Sequence, residues 1–236
     1  MNPGLTAEEI NRIEDAVDKM GYSSLVVPLG GLSTYPTMVS PGSNHKWVIT
    51  TIAHEWVHIY ITFTPLRWAE QSGSRQAMEE TTANIVGKEI ANDVWEEYYQ
   101  PYQPPALSRQ QPARSFSGPV YAAPRFDFNS AMQDIRKNVE AMLADGRIDD
   151  AEAYMRERRD WLEANGHDLR KLNQAYFVFY GYYADSPAHR DANGGVGAKM
   201  LELRALSPSL KEFLGYVSNM KGPDDLDKVL ESLKSK

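Results

Sequence analysis

Cysteine is absent from all 236 residues. That excludes disulfide bridges, thiolate metal sites and a cysteine nucleophile, so any metal or catalytic chemistry falls to histidines, carboxylates and hydroxyls. Histidine is scarce, at five, which makes the placing of each one informative. Basic residues are in deficit: 25 Lys and Arg stand against 32 Asp and Glu, for a net charge of −7. With no cationic excess to neutralise phosphates, nucleic acid is not expected as a partner. No apolar run approaches the ~20 residues that cross a bilayer, so no membrane span is expected in this chain. The polar start Met1-Asn2-Pro3-Gly4 does not read as a signal peptide. The expected location is the cytoplasm by default, unless the chain is a soluble fragment of a longer protein.

Among what is present, one stretch outweighs the rest: His54-Glu55-Trp56-Val57-His58. On a helix, residues four apart stand on one face, so His54 and His58 can aim at a common cation, and two imidazoles suit one Zn²⁺ ion. Glu55 lies beside that point, placed to take a proton from a metal-bound water. A helix is expected from about His45 to Thr62, capped by Ser43 or Asn44 and stopped by Thr64-Pro65. Val48, Ile52, Ile59 and Phe63, with Trp56 alongside, form its expected packing stripe. A second helix is expected over 75–99. On it, Glu80, Ala83, Asn84, Gly87 and Ala91 share a face whose small residues allow close approach. Glu80 is the expected third ligand, favoured over Glu79 because only Glu80 shares a face with Asn84. Asn84 is placed to hydrogen-bond the free ring nitrogen of a ligand histidine, as metal-bound histidines require.

Around this pair, Thr6 to Met20 reads as a helix with a Thr6/Glu9 capping box, its expected inner face Ile10, Ile13, Val17 and Met20. Ser23 to Leu29 and Ser33 to Ser40 read as short strands around a Gly30-Gly31 turn. Pro36 marks the second as an edge strand, onto which an extended peptide can be paired, with Tyr35 and Thr37 as candidate substrate contacts. Six prolines between 101 and 124 predict a loop or linker, and helices fill the remainder. The division expected is 1–100, bearing the metal; 101–128, a Pro-rich connector; and 129–236, a helical part closing the cleft. The fold class is α+β, mainly α, with a small N-terminal sheet whose edge strand lies next to the His54/His58 helix. Tyr180, on an aromatic-rich helix, is the candidate phenol for an oxyanion.

His54-Glu55-x-x-His58 followed by Glu80-x-x-Ala83-Asn84 resembles the gluzincin metallopeptidases, which pair this motif with a glutamate ligand on a later helix, commonly as Glu-x-x-x-Asp. Asn84 stands where Asp is usual and keeps a hydrogen-bond acceptor. The stretches Gly30–Pro36, Ala53–Trp56, Arg170–Phe177 and Ser207–Leu210 are similar to a family of uncharacterised bacterial chains classed as zinc metallopeptidases, over most of the length. The resemblance implies a hydrolase cutting peptide or protein substrates. The metzincin pattern is missing, with Ile61 and Thr64 where it needs Gly and His. So is the Gly-x-Met-x-Asn stretch of related aminopeptidases, which tilts the expectation toward an endopeptidase. Two alternatives stay open: a catalytically inactive module that binds peptide in the same cleft, and a helical domain with an accidental motif.

Overall fold

Thr6 accepts a hydrogen bond from the Glu9 amide while the Glu9 carboxylate caps Thr6, so helix α1 (Ala7–Asp18) begins with the expected reciprocal box. Its buried residue is not one of the expected apolar set. Glu14 is only 2% exposed, whereas Ile13 and Met20 face solvent. The reason lies in the segment that follows. The computed structural model describes residues 4–40, 44–70, 72–99, 126–183, 186–189 and 195–235. In it, residues 23–29 are extended without being a strand. Side chains hold them in place of a ladder. Arg170 forks onto Glu14 at 2.8 and 2.7 Å and reaches the Val26 carbonyl, and the Val26 amide donates to Glu14. Asn173 donates to the Ser24 carbonyl, and Lys171 pairs with Asp18.

The sheet is a two-stranded antiparallel ribbon, β1 (Gly31–Leu32) and β2 (Met38–Val39), with Gly31 opposite Val39. The expected strand 33–40 contracts to its last residues because Pro36, which lacks a donor, sits in the connecting turn. Everything else regular is helical: α2 (His45–Thr62), α3 (Pro65–Trp68), α4 (Gly73–Val94) running into a wide turn at Trp95–Tyr99, α5 (Phe128–Ala144), α6 (Ile148–Ala164), α7 (Gln174–Tyr180), α8 (Val196–Leu206), α9 (Leu210–Ser218) and α10 (Pro223–Lys234). The fold is therefore mainly α with a small N-terminal sheet, as expected.

Two cores form. One joins Val57, Ile61, Met78 and Val86 of α2 and α4 to Met200, Leu203, Phe213, Leu226 and Leu230 of α8–α10. The other is built from α5, α6 and α7, around Met132, Ile135, Met155, Leu162 and Phe177. Packing thus does not follow the 1–100/129–236 division: the chain leaves the first core after α4, builds the second, and returns. The proline-rich 101–125 lies outside the described residues. No helix among the described residues is long and apolar enough to cross a membrane.

Candidate metal centre

Asn44 starts α2 by accepting a hydrogen bond from the Trp47 amide at 2.7 Å. The helix buries Ala53, Val57 and Ile61, not the expected stripe: Ile52 is 45% and Phe63 82% exposed. The expected stripe follows the largest side chains, but the contact with α4 is set by the smallest. At Gly87 a Cβ would come within 2.8 Å of the Thr50 carbonyl and 3.3 Å of the His54 backbone. That glycine, on the small-residue face expected of α4, seats α4 directly against the histidine turn.

The close seat brings three side chains together. His54 Nε2 and His58 Nε2 are 3.2 Å apart, and Glu80 Oε2 lies 3.6 Å from the first and 3.7 Å from the second. They are the group of ligand-type side chains among the described residues able to hold a metal ion. The edges of a tetrahedron with metal–ligand bonds of ~2.0–2.1 Å are ~3.3–3.4 Å, so the triangle has the size of one face of a tetrahedral site. The donor chemistry agrees. Glu80 Oε2 is buried and has no hydrogen-bond donor, an arrangement that is costly unless something positive completes it. Burial, reinforced by the neighbouring His54, holds His58 below the usual histidine range against the pull of Glu80 and Glu55, leaving a neutral ring with a lone pair to give. Burial alone would raise Glu80; the His54 and His58 rings and the Tyr183 hydroxyl outweigh it and hold the carboxyl below its usual range. Glu79 faces the other way, bonded to Arg75 in the same helix, and burial raises it.

Glu55 stands outside the triangle, half-buried, with the Ser33 hydroxyl donating to its Oε2. Gly31 of β1 lies over it so closely that a Cβ there would be 2.6 Å from Glu55 Cγ. The ribbon therefore runs directly beside the metal helix. Tyr35 is 96% exposed and lines a cleft of 470 Å³ that opens at His58. Thr37 is half-buried beside β2 and lines neither this cleft nor the one at Glu80. Asn84 sits one turn beyond Glu80 on α4, half-buried.

The phenol placed against Glu80 is Tyr183, not Tyr180. Tyr180 belongs to the second core, its ring 4.6 Å from that of Tyr176. The chain then turns at Gly181, where a Cβ would collide with the Phe177 carbonyl and the Arg136 side chain. Two residues on, burial and the charge of Glu80 hold the Tyr183 hydroxyl protonated well above the usual tyrosine range. Tyr183 was visible in the sequence only as one of several tyrosines on one helical face. Gly31 carried no signal in the residues themselves beyond a turn, and Ser33 none beyond the start of an expected strand.

Neither a protein-family model, nor a curated protein, nor a solved structure matches this chain.

Proposed function

We propose that the chain is a zinc-dependent peptidase of gluzincin type, with His54, His58 and Glu80 as ligands, acting within peptide or protein chains. The observation that carries this reading is the buried Glu80 oxygen, without a donor and facing two imidazole nitrogens, next to a second carboxylate kept off the triangle. Bound there, Zn²⁺ would polarise a carbonyl and bring the pKa of a water toward neutrality. Glu55 takes the proton of the attacking water as it adds to the scissile carbonyl, and hands it to the leaving amine. The Ser33 hydroxyl fixes one oxygen of Glu55, leaving the other for that traffic. Tyr183, held protonated, is the donor available to a developing oxyanion, in the role expected of Tyr180. Asn84 is proposed to orient a ligand histidine, and the exposed ribbon edge with Tyr35 to receive extended substrate.

The test has two parts. Metal analysis of protein purified without added zinc should find one ion per chain, reduced in Glu80→Gln. In a peptide-pool digest, Glu55→Gln should lose at least ~10²-fold in turnover while keeping its metal. Undiminished cleavage by Glu55→Gln removes the role given to Glu55. Full metal with no cleavage by the wild type would leave a peptide-binding module.

A further inference from the structure

Two clefts of different lining meet the candidate metal triangle, one at Glu80 and one at His58. On the Glu80 side, a cleft of 600 Å³ sets Leu25, Ala175, Val178 and Phe179 beside the uncharged polar Gln76 and Gln174, and Glu80 is its one charged group. On the His58 side, the 470 Å³ cleft is lined by Ser33, Thr34, Tyr35, Thr62, Arg67 and Glu79 among others. Arg67, on α3, is exposed, and its guanidinium makes no ion pair or side-chain hydrogen bond among the described residues. Its acidic neighbour does not use it up. Glu79 is bonded to the buried Arg75, 5% exposed. The cleft therefore presents a guanidinium that forms no ion pair among the described residues, its acidic neighbour being bonded to another arginine.

We propose that Arg67 selects the substrate by binding a carboxylate presented on the His58 side of the metal centre. The chemistry is that of a planar fork meeting a two-oxygen anion, in a cleft that also holds the half-buried His58 and Ile59. A peptide laid across the cation places one flank here and the other among the aliphatic and aromatic side chains of the opposite cleft. An acidic side chain and the terminal carboxylate of a short peptide are two sources of the same group. The proposal rests on the peptidase reading for its catalytic consequence but not for the binding itself.

Two measurements on the full, zinc-loaded chain separate the two claims. In the first, a random peptide pool is digested by the wild type and the new termini are sequenced. In the second, the same pool, free or C-terminally amidated, is passed over immobilised Glu55→Gln and the retained peptides are sequenced. We expect about fivefold enrichment of Asp and Glu at one fixed position in both. Arg67→Ala should abolish the enrichment, Arg67→Lys should keep part of it, and Arg67→Glu should turn it toward Lys and Arg. If the terminal carboxylate is the group read, amidation removes retention and the cuts fall at a constant distance from the end. Cleavage without acidic or terminal preference, or a preference indifferent to Arg67→Glu, overturns the proposal and leaves the peptidase. Retention with acidic preference but no cleavage by the wild type overturns the peptidase and leaves the proposal. A pool neither cut nor retained overturns both.

Discussion

Glu14 and Glu80 both turn a carboxylate oxygen into the protein, and the protein treats them in opposite ways. Glu14 receives two bonds from Arg170, one from the Val26 amide, and the nearby charge of Lys171. Every lone pair it turns inward meets a donor built into the chain. Glu80 has an inward oxygen with no donor and two imidazole nitrogens 3.6 and 3.7 Å away. A buried anion is tolerated only when compensated. The first is compensated by the fold itself and holds α1 and the extended 23–29 segment to the loop before α7. The second keeps one inward oxygen, Oε2, open to a partner from outside. The same residue type with an inward oxygen is a fastening in one place and a candidate receptor in the other.

Removing the external partner should produce the largest effect. With zinc at a thousandfold excess over its dissociation constant, binding adds ~4 kcal/mol, a melting shift of about 10 °C for a chain of this size. Chelator should abolish the shift, and Glu80→Gln should be nearly blind to zinc while, metal-free, being no less stable than the metal-free wild type. A large loss of metal-free stability in Glu80→Gln would make Glu80 a fastening after all.

Glu14→Gln should do the reverse. It breaks the Arg170 fork and costs about 2–3 kcal/mol in denaturant melts, below the full cost of breaking a sealed ion pair because Arg170 is 35% exposed. Its zinc titration should superimpose on the wild type; a weakened titration would couple the two regions. Smaller again is Gly87→Ala. Its methyl must push against the Thr50 carbonyl, costing about 1–2 kcal/mol and loosening zinc by widening the ligand triangle. Wild-type zinc affinity in the Gly87→Ala chain would show that the interhelix distance does not set the site.

The last test is of pH. The charged form of Glu14 is held below the ordinary glutamate range: burial opposes it, but the Arg170 bonds, the Val26 amide and Lys171 prevail. A carboxyl lowered in the folded state contributes stability that is complete above its unfolded value, ~4.3 for glutamate. That contribution is lost as pH falls through the folded value, because the unfolded chain then binds more protons. Acid unfolding of metal-free protein should therefore be steeper in the wild type than in Glu14→Gln. Parallel acid curves would remove the fastening role.

The receptor was far more legible in the sequence than the fastening. Four-residue spacing on a helix aligns His54 with His58 whatever surrounds them, and the small residues around Glu80 announce a close helix pair. Both are local facts. Glu14 was legible only as a polar position between apolar ones, because its main partner, Arg170, is more than 150 positions away in the chain and its burial depends on that partner. The inward face of α2 departs from its sequence pattern for a related reason. Hydrophobic spacing ranks Ile52 and Phe63 above Ala53, yet the face turned inward is that of Ala53, Val57 and Ile61, with Gly87 of α4 set against the neighbouring Thr50 and His54. Tyr183 escaped because it lies past the end of its helix, where helical phase no longer says which way a ring points.

The interrupted route of the chain through its first core has a consequence for synthesis. α2 and α4 carry every ligand, yet Val57, Met78 and Val86 share their core with side chains of α8–α10. During translation those partners emerge only after the helices of the second core, α5–α7, have been made. For that interval the nascent chain exposes a greasy floor beneath an already spaced set of ligands, the condition in which helper proteins engage a polypeptide. Completion of the last two turns of α10, with Leu230, is thus the step after which a captured ion can be held against a finished interior.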